Sequence, residues 1–191
     1  MTDNDYSAAR RAMVLNQLRP QGVTNTAVLA AMGSVPRERF VPEEKRAAAY
    51  ADRSLLLDGG APMMPPTELG ILLTALDPVT GERALVVGAG GAYSAAVLEA
   101  LGLSVTRTDL EPPAGRNAYD LVMVEGAAEQ LPDWIAGLLA PGGRVGAALI
   151  DCGVARLSVG RAAGGAIGFS SIADAQVLPH PGFARTPDFT F

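Results

Sequence analysis

The sequence predicts an α/β domain on a mostly parallel sheet, with antiparallel strands at its C-terminal end. Three observations predict it. Between residues 66 and 150, short apolar runs alternate with helical patterns, as βαβ units require. The run Arg83-Ala-Leu-Val-Val-Gly-Ala-Gly-Gly-Ala-Tyr-Ser-Ala-Ala-Val-Leu-Glu-Ala-Leu101 reads as an apolar strand, a glycine-rich turn and an alanine-rich helix. Beyond Ile150, three β-patterned stretches are separated by Gly164-Gly165 and a proline-rich turn, the pattern of a meander.

The elements follow in order. Residues 7–19 and 26–33 have helical apolar spacing, Met13, Leu15 and Leu18, then Val28, Leu29 and Met32. Asn25 or Thr26 caps the second. Glu43 to Tyr50 is a short helix started after Pro42. Residues 54–66 hold two glycines and three prolines, so they read as an irregular loop. Pro66 or Thr67 opens a helix through Leu76. The strand at 83–88, its glycine turn and a helix to Leu101 come next. Strands are expected at 104–109, 119–124 and 144–150, with a helix over 132–139 ended by Pro141-Gly-Gly. The meander takes residues 154–162, 166–177 and 187–191.

Composition bounds the function. The chain has 191 residues, 49% of them hydrophobic, enough for one domain with a sizeable core. We expect a single domain over 1–191, with a helical part and loop at 1–76 and the sheet core at 77–191. The net charge of -5 disfavours nucleic acid, whose phosphates want a basic face. One cysteine, Cys152, and one histidine, His180, exclude an internal disulfide and a conventional zinc site. No basic-then-apolar leader opens the chain, and no uncharged apolar stretch reaches the roughly 18 residues of a membrane span. The expectation is a cytoplasmic protein without membrane partners.

Several segments carry a family resemblance. Met13-Val-Leu-Asn-Gln-Leu-Arg-Pro-Gln-Gly-Val23, Val35-Pro-Arg-Glu-Arg-Phe-Val-Pro42 and Ala49-Tyr-Ala-Asp52 resemble the N-terminal region of protein-L-isoaspartate O-methyltransferases. The glycine turn is similar to that family's first S-adenosylmethionine motif, and Leu138-Leu-Ala-Pro-Gly-Gly-Arg-Val145 to its later helix-to-strand motif. The resemblance implies a Rossmann-like methyltransferase fold with an N-terminal helical extension. It also implies S-adenosylmethionine as cofactor, and methyl transfer to the carboxylate of isomerised aspartate in a protein or peptide substrate.

The cofactor-binding candidates are Gly88, Ala89, Gly90, Tyr93, Asp109 and Glu125. Glycine lets a ligand approach the turn, and the helix after it begins with unpaired N–H groups. Gly88 and Gly90 match the family turn, while Ala92 stands at its third glycine. Asp109 ends the second strand, where a carboxylate accepts ribose hydroxyls. It is equally read as an exposed turn residue before Pro112-Pro113. Glu125 ends the third strand, on the side that faces the ligand crevice. It either contacts a ligand or caps the turn.

Two departures from the family bear on chemistry. Nine residues, 110–118, join Asp109 to Tyr119, and two prolines and a glycine exclude a helix there. One helix-plus-strand crossover is therefore missing, with its adenine-contacting segment, and the second strand becomes a sheet edge open to a homodimer. In Ala61-Pro-Met-Met-Pro-Pro66, Met64 stands where the family has a reactive-site serine and Pro62 where it has a threonine. A thioether does no acid–base chemistry, so no catalytic residue is assigned.

Among the remaining polar residues, His180 reads as a surface turn residue and Cys152 as a small core residue. Arg37 and Arg39 read as ion-pairing ties for the N-terminal segment. Two functions stay open: a methyltransferase of the isoaspartyl type, or a non-catalytic pseudoenzyme that keeps the fold for binding. A pocket filled by Ala92 or Met64 favours the second.

Overall fold

The computed structural model describes residues 2–185. Helix α1 (Asp3–Met13) starts where Thr2 and Asp5 close a reciprocal capping box. One π-helical turn, Val14–Leu18, continues it, so the expected helix over 7–19 starts earlier and changes its winding. Asn25 caps α2 (Thr26–Ser34) by accepting the amides of Ala27 and Val28. Tight 3₁₀ turns follow at Arg37–Phe40 and Glu43–Ala48, the second within the short helix expected over Glu43 to Tyr50.

The proline-rich loop has more order than its composition suggests. Strands β1 (Leu55–Leu56) and β2 (Pro62–Met63) pair antiparallel around a turn at Asp58–Gly60. Pro66 then sits at the first position of α3 (Pro66–Leu76), where its missing N–H costs nothing.

The main sheet has the order β4-β3-β5-β6-β7-β8. Its strands are β3 (Arg83–Val87), β4 (Ser104–Thr108), β5 (Tyr119–Ala128), β6 (Leu139–Asp151), β7 (Val154–Ala163) and β8 (Ala166–Asp174). The first four run parallel and the last two antiparallel. Helix α4 (Ala92–Ala100) follows the glycine turn, and α5 (Trp134–Leu138) precedes β6. The missing crossover is as expected: residues 109–118 form an exposed loop and β4 is the sheet edge.

Alternation along the strands builds two cores. Ala84, Val86, Leu121 and Met123 face α1–α4. Leu85, Val87, Val122 and Val124 face α5 and Phe183. Strands read as continuous apolar runs because both faces are covered.

Four expectations are corrected here. Leu139 begins β6, so Pro141-Gly142-Gly143 lies inside an irregular stretch of that strand and does not end a helix. Cys152 is exposed in the β6–β7 turn, at φ 49°, because a two-residue hairpin turn needs left-handed backbone. His180 is buried although two prolines flank it, since the chain there folds back onto β5. Arg37 is buried and bonds carbonyls; the tie through an ion pair is made by Arg10 and Glu38 instead. The strand expected at 187–191 lies outside the described residues.

Candidate functional site

The carboxyl ends of β3, β4 and β5 meet where an open α/β sheet places its ligand crevice. The turn Gly88-Ala89-Gly90-Gly91 leads from β3 into α4. Asp109, just past β4, accepts the Ala89 amide at 3.1 Å, with its side chain half exposed. Ala89 is exposed as well, so this outer part of the turn is open.

The inner part is filled. Gly90 is buried beneath β2, and a Cβ there would run into the Pro62 carbonyl. Glu125 is buried beside it. Its Oε1 accepts the Met64 amide at 2.6 Å and its Oε2 accepts the Ser94 hydroxyl at 2.6 Å. Burial pushes the Glu125 carboxyl above the usual range, against the pull of these donors and of Arg37. Met64 is itself fully buried.

Arg37 forms the floor on the N-terminal side. Its Nε donates to the Ala49 carbonyl at 2.8 Å and its Nη2 to the Met64 carbonyl at 2.6 Å. Its guanidinium lies over the Tyr93 ring, 4.7 Å from the centroid. Burial pushes the Tyr93 phenol up to about 12.

The C-terminal segment closes the other side. The Ala127 amide donates to the Leu178 carbonyl and the His180 amide to the Ala127 carbonyl, both at 2.9 Å. Gly126, at φ 88°, lets this strap come close: a Cβ there would meet Pro62 Cγ at 2.7 Å and His180 Cβ at 2.8 Å. His180 Nδ1 accepts the Gly182 amide, and its ring stacks on Phe183. Its Nε2 stands 3.5 Å from Asp109 Oδ1, too long for a good hydrogen bond. Burial lowers the His180 pKa, with Asp109 pulling the other way.

S-adenosylmethionine needs room for an amino-acid end, a sulfonium and an adenosine. The volume over Gly90 is taken by Pro62, and the groove between the glycine turn and Gly126 by Glu125 and the strap. What stays open is a cavity of about 400 Å³ at the mouth, bounded by Arg39, Phe40, Leu57, Asp58, Ala89 and Ala92. Among the described residues no group of three His, Cys, Asp or Glu side chains is placed to hold a metal. None of their helices is long and apolar enough to cross a membrane.

The structure thus brings together Gly88, Ala89, Gly90, Tyr93, Asp109 and Glu125 around one crevice. Tyr93 and Glu125 point into buried packing, while Ala89 and Asp109 face its open rim. Sequence reasoning missed Ser94 and Pro62 as partners, and gave His180 and Arg37 other roles. The available signal was a lone glutamate inside the apolar run Val122-Met-Val-Glu-Gly-Ala-Ala128.

Comparison with known proteins bears on this crevice. The family model for protein-L-isoaspartate(D-aspartate) O-methyltransferase matches residues 9–107. A protein-L-isoaspartate O-methyltransferase of Methylorubrum populi is 36% identical over 172 residues, covering 76% of this chain and 79% of the relative. A second such enzyme, from Anaeromyxobacter, is 46% identical over 103 residues, covering 54% of this chain and 42% of the relative. The crystal structure of a putative enzyme of this type from Plasmodium falciparum, in complex with S-adenosyl-L-homocysteine, superposes with a TM-score of 0.72 at 16% identity. It covers 89% of this chain and 97% of that one.

Proposed function

Because this chain belongs to the protein-L-isoaspartate(D-aspartate) O-methyltransferase family, we propose that it keeps the family's fold and its engagement with proteins but does not transfer methyl groups. One observation carries this reading. The Pro62 carbonyl covers Gly90, in the loop where the family resemblance implies a serine and Met64 stands instead. A methyl donor must lie in line with its acceptor, and positioning does most of the work of such a transfer. Here the positioning volume is packed with protein. The open cavity beside Phe40 and Leu57 gives a partner segment a place to enter at the rim.

A second reading has its own support. Curated relatives that align over most of the chain are named protein-L-isoaspartate O-methyltransferase. Ala89 and Asp109 stay accessible, where a ribose is bound in this fold type. On this reading S-adenosylmethionine enters after β2 and the strap withdraw, and the substrate is an isoaspartyl carboxylate of a protein.

Calorimetric titration with S-adenosylmethionine and S-adenosylhomocysteine decides between them. The first reading expects no heat up to millimolar ligand and no methylation of an isoaspartyl peptide. Micromolar binding with transfer overturns it in favour of the second. The free edge of β4 is where a second copy would pair, which sedimentation at increasing concentration tests.

A further inference from the structure

We propose that the pocket holding the Glu125 side chain is a carboxyl receptor, and that Glu125 is a ligand taken from the protein's own chain. The inference rests on the reading that the crevice is filled in cis, and it names what the filled place recognises.

Glu125 sits in a strand whose neighbours Val122, Met123, Val124, Ala127 and Ala128 are apolar and buried. An apolar residue would meet no desolvation penalty there. The carboxyl is held by groups brought from elsewhere in the chain. The Met64 amide comes from the proline loop, 61 residues away, and the Ser94 hydroxyl from the first turn of α4, 31 residues away. Each carboxyl oxygen takes one of these donors. The N-terminus of α4 adds a favourable dipole. Arg37 adds positive charge behind Met64, whose carbonyl it binds; its Nη1 is buried without a hydrogen-bond partner.

These donors exist whatever residue occupies position 125. The Met64 amide is backbone and Ser94 lies on a different helix. With an apolar residue at position 125 both would be buried and unpaired, a condition that proteins avoid. The place therefore selects a small carboxylic group, ionised or neutral. Glu125 supplies it intramolecularly, at an effective concentration that a free acid must exceed to displace it.

Glu125→Ala tests this with acetate as the probe, at pH 5 and constant ionic strength against chloride. Acetate at about ten times its dissociation constant raises the melting midpoint of E125A by about 3–6 °C. Wild-type protein and E125Q, whose side chains fill the place, shift by less than about 1 °C. Absence of an acetate-specific shift in E125A overturns the proposal. If E125A does not fold in chloride, folding restored by acetate supports it. Failure in both salts moves the same test to Glu125→Thr, where the lack of a shift overturns it equally. Wild-type binding of S-adenosylmethionine would defeat the self-filled crevice while leaving the acetate result to stand on its own.

Discussion

Arg37 lies over the face of Tyr93, and each carries a buried polar atom without a partner, Nη1 and Oη. The pair joins the 3₁₀ turn at Arg37–Phe40 to the start of α4. The same guanidinium holds the carbonyls of Ala49 and Met64. Arg37→Met keeps much of the volume and strips both carbonyls of their donor. We expect a loss of about 3 kcal/mol in urea denaturation, since each orphaned buried acceptor costs about 1–3 kcal/mol. A loss below about 1 kcal/mol would show that water replaces the guanidinium.

Glu125→Gln keeps an acceptor for the Met64 amide and a polar partner for Ser94, and it cannot ionise. The folded pKa of Glu125 is raised above its ordinary 4.5 by burial. Its stabilising contribution is therefore fully present below pH 4.5 and is lost as pH rises through the folded value. Wild-type and E125Q proteins should be similar at pH 4. E125Q should pull ahead by about 1.4 kcal/mol for each pH unit between the two pKa values. Urea melts from pH 4 to 8 check this, and a difference that does not vary with pH contradicts it.

Arg144 and Glu82 show the opposite sign. Both guanidinium ends meet the carboxylate, at 2.9 and 2.8 Å, and Nε also donates to the last carbonyl of α3, that of Leu76. The Arg144 hydrogen bonds lower the Glu82 pKa. Its contribution is present above its ordinary 4.5 and is lost as pH falls through the depressed folded value. Glu82→Gln should cost about 1 kcal/mol at pH 7, and the gap to wild type should close in acid. Thermal melts at pH 7 and 3 test both parts.

Cys152 and Gly153 form the β6–β7 turn with φ of 49° and 78°. Asparagine tolerates that backbone better than cysteine does. Cys152→Asn should raise stability by about 0.5–1 kcal/mol without changing the urea m-value. An unchanged midpoint would mean that the turn carries no strain.

Much of the fold was legible because it rests on local pattern and counting. Apolar runs gave the strands, and the nine residues between Asp109 and Tyr119 excluded a helix and left β4 as an edge. The glycine turn and Asp109 were legible for the same reason. The filled crevice was not, because it depends on which distant segments meet. Pro62 over Gly90, Glu125 on Met64 and His180 against Gly126 join residues 28, 61 and 54 positions apart. His180 between two prolines carried the pattern of an exposed turn, and the contact with β5 overrode it.

The hairpin turns joining β6, β7 and β8 set the timing of folding as well as its shape. Pairings in the β6–β7 ladder span 3 to 17 residues, from Asp151↔Val154 to Arg144↔Arg161, whereas Ala84 must find Leu121 across 37. Loop closure favours the short spans, so the C-terminal meander is the quick half of the molecule and the parallel half the slow one. Synthesis runs the other way, delivering the slow half first. A chain still attached to the ribosome thus presents the glycine turn before residues 177–183 exist, and Gly126 meets His180 only after the turn at Pro181–Phe183 has emerged.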